Sequence, residues 1–189
     1  SDIARPAGNG HGNGDDGANN RELVREGSEI MVQVVKDTLG NKGARLTTNI
    51  TLPSRHLVLL PHSESVGVSA RIEDEDERER LRTMVEDLLA ARDLKCGAIV
   101  RTAAEGTDQN TLAADLRYSL RLWDVVQARC RERSVKTVGH EDLSLPLRVL
   151  RDMGTGDVER VLVDSQSDYE AMQEFADTYL PEGVPSIEL

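Results

Sequence analysis

At 189 residues and 20.8 kDa, the chain has room for one domain or two small ones. Its 38% hydrophobic and 3% aromatic content excludes a core built on rings, so Leu, Val, Ile and Ala must fill it, as in part of something larger than a self-contained enzyme. A formal net charge of −11 excludes a broad basic surface for nucleic acid; any such binding has to rest on local Lys and Arg.

The chain opens on Ser1-Asp2-Ile3, without Met, which reads as a cut into a longer protein. Residues Pro6 to Asn20 are Gly, Asn and Asp with almost nothing to bury, and are expected to form a disordered loop. Ile30 to Lys36 (IMVQVVK) is β-branched and strand-like. A Gly-containing turn then leads into Ala44 to Ile50 (ARLTTNI), which predicts a hairpin. A third strand over Arg55 to Leu60 (RHLVLL) would extend it as a meander of the kind found in small barrels.

Asp74 to Arg92 is the clearest helix: Leu81, Met84, Val85, Leu88 and Leu89 share one face, and the acidic start suits the positive end of the helix dipole. Cys96 to Thr102 (CGAIVRT) reads as a buried strand ending on two polar residues. A long helix follows from Asp108 to Arg133, with Leu112, Leu116, Leu120 and Trp123 as its inner stripe and Trp123 as a core anchor. Further on, Pro146 suits an early helical position, with Leu147, Leu150 and Met153 facing a sheet and Gly154 closing the helix. Val158 to Val163 is strand-like, and Ser167 with Glu170 forms a capping box for a helix ending at Tyr179, before Pro181. The fold class expected from this order is α+β.

Cys96 and Cys130 are too few for a disulfide framework and lack metal-ligand spacing. Together with the lack of an apolar leader or a membrane-spanning stretch, they suit reduced thiols in a cytoplasmic protein. No nucleophile elbow, His-rich metal motif or phosphate-cradling Gly loop stands out, so no catalytic residue and no metal ligand is assigned. The pair to examine is Arg101-Thr102. A strand ending in these residues places a guanidinium and a hydroxyl at a sheet rim, able to grip a terminal phosphate. The alternative is an ordinary strand-end Arg paired with a nearby acid such as Glu105.

Val32 to Pro61 (VQVVKDTLGNKGARLTTNITLPSRHLVLLP), Gly67 to Glu73 (GVSARIE), Ile99 to Gly106 (IVRTAAEG), Leu147 to Asp152 (LRVLRD) and Val161 to Asp164 (VLVD) occur in order at compatible spacing. These blocks resemble the ribonuclease E/G family from about Leu23 to Leu189, on the ribonuclease G side of it. The resemblance implies three regions: residues 1–52 as the end of an OB-fold RNA-binding domain, 53–140 as a 5′-sensor region, and 141–189 as a helix–strand–helix piece of an RNase H-like subdomain.

By the same resemblance, Arg101 and Thr102 contact an RNA 5′-monophosphate, Val58 contributes backbone, and Ser54 stands where a small residue lets the backbone approach the phosphate. Lys42 matches an RNA-contacting lysine, with Arg45 and Arg55 beside it as a local positive rim. His56 replaces an aromatic residue in a structural role. The family's base-stacking aromatics would precede Ser1, and its metal-binding aspartates and zinc-linking cysteines would follow Leu189. The implied parent is a homo-oligomeric endoribonuclease acting on single-stranded RNA in ribosomal RNA 5′-end processing and RNA decay, with catalytic Mg²⁺ and a Zn²⁺ link between subunits. The competing expectation is a non-catalytic protein-interaction module or a degenerate paralogue.

Overall fold

In a computed structural model, residues 27–153, 158–180 and 184–189 are described. They divide into two compact units, the first ending at Thr51 and the second beginning at Leu52. The Gly/Asn-rich segment 6–20, together with Gly154 and Pro181, lies outside the described residues.

In the first unit, β1 (Gln33–Lys36) pairs antiparallel with β2 (Arg45–Thr47), with an irregularity between Val34 and Lys36. The turn between them closes with reciprocal backbone bonds between Leu39 and Lys42, at 3.2 and 3.1 Å. Gly40 supplies the left-handed conformation that turn needs, at φ +57. The Gln33 side chain then pins the exit of the hairpin: its Nε2 donates to the Thr51 carbonyl at 3.0 Å, and its Oε1 accepts from the Thr51 amide at 2.9 Å. Among the described residues this unit carries only these two strands, so the expected barrel meander goes no further than a hairpin.

The third expected strand pairs elsewhere. β4 (Leu57–Leu60) belongs to the second unit, in a four-stranded sheet of order β3-β4-β6-β5. Here β3 is Leu52–Pro53, β5 is Val66–Val68 and β6 is Gly97–Val100. β4 runs antiparallel to both β3 and β6, while β5 runs parallel to β6. The reason is burial: Leu57 and Leu59 alternate inward and match Ala98 and Val100 across the ladder, forming one wholly apolar face.

That face is covered by two helices. The parallel step from β5 to β6 requires a crossover, and α1 (Glu75–Ala90) provides it. Leu81, Val85, Leu88 and Leu89 turn inward as the spacing predicts, while Met84 stays half-buried. Asp74 caps the helix, its Oδ1 accepting from the amides of Asp76 at 3.0 Å and Glu77 at 3.4 Å. α2 (Gln109–Glu132), capped by Asp108, packs on β3, β4 and α1. Its buried row is Leu112, Leu116, Ser119, Leu122 and Val126. Leu120 and Trp123 are only half-buried, which corrects the expected stripe; the Trp123 ring meets His62 edge-on, 5.4 Å between centroids.

The C-terminal block lies in the same compact unit. α3 (Leu145–Met153) and α4 (Gln166–Tyr179) accompany a parallel pair of β7 (Arg160–Leu162) and β8 (Ser186–Glu188). Of the three α3 residues expected to face inward, Leu150 is fully buried, Leu147 is half-buried and Met153 is 61% exposed. The cap of α4 is Ser165 rather than Ser167: its Oγ accepts from the Asp168 amide at 3.3 Å. With so few aromatics in the chain, their placement matters. Tyr118 of α2 meets Phe175 and Tyr179 of α4 at centroid distances of 6.2 and 6.1 Å, joining this block to the sheet-covering helix. Burial pushes the Tyr118 hydroxyl up to about 12. The whole is an α+β fold, and among the described residues no helix is long and apolar enough to cross a membrane.

Candidate phosphate-binding site

β6 ends at the sheet rim, and the next two residues are Arg101 and Thr102, both exposed. The Arg101 amide donates to the His56 carbonyl at 2.8 Å, extending the β4–β6 ladder one step beyond the strands. Its guanidinium Nη1 donates to the Ser54 carbonyl. Among the described residues Arg101 has no carboxylate at ion-pair distance, and Glu105 does not pair with it. Most of its donors are therefore left for an acceptor from outside. Thr102 opens a short 3-10 turn to Ala104.

The other wall is the turn from Ser54 to Leu57. Ser54 is fully buried, and its amide donates to the Leu57 carbonyl at 2.8 Å. Its hydroxyl is turned into the fold and donates to Asp115 Oδ2 at 2.5 Å. Since φ at Ser54 is not positive, the backbone there has no need of glycine, and a side chain is accommodated by being bonded inward. The same carboxylate oxygen accepts from the amides of His56 at 3.0 Å and Leu57 at 2.9 Å. Burial holds the His56 imidazole below its usual range, against the opposing pull of Asp115. From α3, Arg151 Nη1 donates to the Pro53 carbonyl at 3.2 Å while its Nε and Nη2 form a fork on Asp152.

The far side of the Arg101 turn is also fastened. Glu77 on α1 accepts from the Gly106 amide at 2.8 Å and from Arg80, whose Nη1 and Nη2 both donate to the Thr107 carbonyl at 3.0 Å. Gly106 sits at φ +75, where a side chain would be strained. The Arg80 guanidinium, helped by the Gly106 amide, holds the Glu77 carboxyl down at about 2. A carboxyl lowered in the folded state stabilises fully above its unfolded value, near 4.5, and loses that contribution as pH falls through about 2. Glu77→Gln should therefore be less stable than the parent chain at pH 6, with the gap narrowing steadily between 4.5 and 2. Urea unfolding of both proteins at several pH values reads this; a gap that does not change with pH would contradict it.

Of the residues singled out in the sequence, the fold brings Ser54, Arg101 and Thr102 to one place. Val58 sits inside β4 between Pro53 and Ile99, and Arg55 is half-buried in the turn itself. Lys42 and Arg45 lie on the hairpin of the first unit, both exposed. Asp115 and Arg151 were not anticipated. The available signal was a carboxylate three residues after Leu112 and four before Ser119, at helical spacing with the buried row. Cys96 and Cys130 are free thiols, and burial pushes the Cys96 thiol up. Among the described residues no three His, Cys, Asp or Glu side chains gather where they could hold a metal ion.

The profile of the Ribonuclease E/G family matches residues 51–189. Ribonuclease G of Escherichia coli strain K12 is 48% identical over 167 residues, covering 88% of this chain and 34% of that protein. Ribonuclease G of Haemophilus influenzae is 47% identical over 85% of this chain and 32% of its own length. Ribonuclease E of a Nostoc species is 36% identical over 82% of this chain and 22% of its own. The chain thus spans about a third of the length of the ribonuclease G relatives it matches.

Proposed function

The chain belongs to the ribonuclease E/G family, and from that premise we propose that it is the RNA-end-recognising portion of an endoribonuclease. Arg101 and Thr102 grip the 5′-terminal monophosphate of single-stranded RNA. The turn at Ser54 and the start of β4 around Val58 form the floor against which that phosphate rests. Lys42 and Arg45 on the hairpin, and separately Arg55, are further contacts for RNA. The longer parent would cleave RNA phosphodiesters in ribosomal RNA 5′-end processing and RNA decay, as a homo-oligomer. The Mg²⁺ and Zn²⁺ expected of that parent have no ligand cluster among the described residues, and nothing in this reading is routed through them.

The observation that carries the reading is the Arg101 guanidinium: exposed at a strand end, steadied by one backbone carbonyl, and without an acidic partner among the described residues. In a chain of net charge −11, where Asp and Glu outnumber Lys and Arg 34 to 23, a cation kept clear of acids is suited to an external anion. The same acidity makes the body of the chain a poor general binder of RNA, so an end contact should account for much of the affinity.

The test is a pair of single-stranded RNA oligonucleotides of one sequence, one with a 5′-monophosphate and one with a 5′-hydroxyl. Fluorescence anisotropy at fixed salt should show the phosphorylated RNA binding roughly 10-fold more tightly or better. Equal affinity for the two would overturn the reading.

A further inference from the structure

We propose that Asp115 is the positioning residue of this site, setting the aim of Arg101 through the Ser54–Leu57 turn; this rests on the reading of Arg101 as the phosphate ligand. The hydrogen-bond pattern of the turn carries the argument. In an ordinary tight antiparallel turn, the amide and carbonyl of the two closing residues bond to each other in both directions. Here only half of that exchange is made. The Ser54 amide donates to the Leu57 carbonyl at 2.8 Å, but the Leu57 amide donates to Asp115 Oδ2 at 2.9 Å. The Ser54 carbonyl is thereby left without its usual partner, and the Arg101 guanidinium takes the place.

The same carboxylate oxygen holds the turn at two further points. It receives the Ser54 hydroxyl at 2.5 Å, which draws that side chain inward, and the His56 amide at 3.0 Å. His56 in turn gives its carbonyl to the Arg101 amide at 2.8 Å. Both the backbone and the side chain of Arg101 are therefore held by carbonyls of a turn whose shape is set by one acid on α2. Hydrogen bonds to an ionised acceptor are about twice as strong as neutral ones, so the charge and not only the shape of Asp115 matters. Without it, the Leu57 amide is free to close on the Ser54 carbonyl, and Arg101 loses its rest.

The informative quantity is the ratio of affinities for the 5′-monophosphate and 5′-hydroxyl oligonucleotides. Both are measured on one preparation, so the fraction of folded protein cancels. Asp115→Asn retains an acceptor of the same size and is expected to lower the ratio at least about threefold, with 5′-hydroxyl binding unchanged. Adding it to Arg101→Ala should lower the ratio no further, because the two residues act in one chain of contacts. Should the Asn variant fail to fold, Asp115→Glu keeps the charge but displaces the carboxylate by one methylene, and a fall of similar size is expected. A preference in the parent chain that survives both substitutions overturns this inference alone. No preference in the parent chain overturns the phosphate reading and this inference with it.

Discussion

Arg101→Ala is expected to weaken binding of a 5′-monophosphorylated oligonucleotide by roughly 10- to 100-fold while leaving the 5′-hydroxyl oligonucleotide within about twofold. A hydrogen bond to a charged group is worth about 1.5–3 kcal/mol, and a terminal phosphate offers the guanidinium fork more than one oxygen. The side chain is exposed and makes one bond inside the protein, to the Ser54 carbonyl, so its loss should cost little stability. Arg101→Lys is the companion variant. It keeps the charge but not the planar fork, and should retain only part of the preference. If Arg101→Ala weakened both oligonucleotides equally, Arg101 would be an ordinary backbone contact; if it weakened neither, the phosphate is held elsewhere.

This prediction depends on local arrangement overriding the overall charge. At −11 the chain repels RNA on average, and several of its arginines are taken up by acids of the chain itself. Arg80 is taken up by Glu77, Arg82 by Glu79, Arg148 by Asp142 and Arg151 by Asp152. Arg101 has no such acid among the described residues, and Asp115, which bonds the same turn, gives its Oδ2 to a hydroxyl and two amides rather than to the guanidinium.

The two long helices were legible in the sequence to within a couple of residues, because their signals are local. Their apolar residues recur at helical spacing, and the first of the two helices opens on an acidic run. The strand leading to Arg101 was legible for the same reason, as a short apolar run with a polar end. What escaped was set by partners distant in sequence. β8 is three residues long with Ile187 as its one buried side chain, and it exists because β7 lies alongside. β3 is two residues long and held by β4. Met153 was misplaced because Leu145, Val149 and Met153, four residues apart, form an exposed row on α3, while Leu150 alone of the helix is fully buried. The Arg101-Thr102 pair could be found by residue type at a strand end. The acid that shapes its surroundings could not, because Asp115 becomes informative only when a turn some sixty residues earlier folds back onto α2.

Gly97→Ala should be the most destabilising single-methyl change at any of the described glycines, costing about 3 kcal/mol or more. Gly97 begins β6 between β4 and β5, and its φ is not positive, so an alanine backbone would be comfortable there. Space is the obstacle. A Cβ would stand 2.1 Å from the Ser65 carbonyl oxygen, 2.8 Å from the Ser65 amide nitrogen and 2.9 Å from the Ser63 carbonyl oxygen. All three are backbone atoms, so no side chain can swing aside. Relief requires the Ser63–Ser65 segment to move away from β6, and the Ala98 amide already donates to the Ser65 carbonyl at 3.2 Å. Against a total stability of about 5–15 kcal/mol for an ordinary domain, that loss would lower the urea midpoint markedly. Gly67→Ala is the matched control on the neighbouring strand: its Cβ would meet only Ile99 Cγ1, at 3.8 Å, an ordinary contact. It should leave the midpoint nearly unchanged. Equal midpoints for the two variants would mean that β5 and the segment before it do not approach β6 as closely as described. Since β6 carries Arg101 at its other end, the pair also separates the two roles of the strand: Gly97→Ala removes folded protein, whereas Arg101→Ala removes phosphate preference from protein that remains folded.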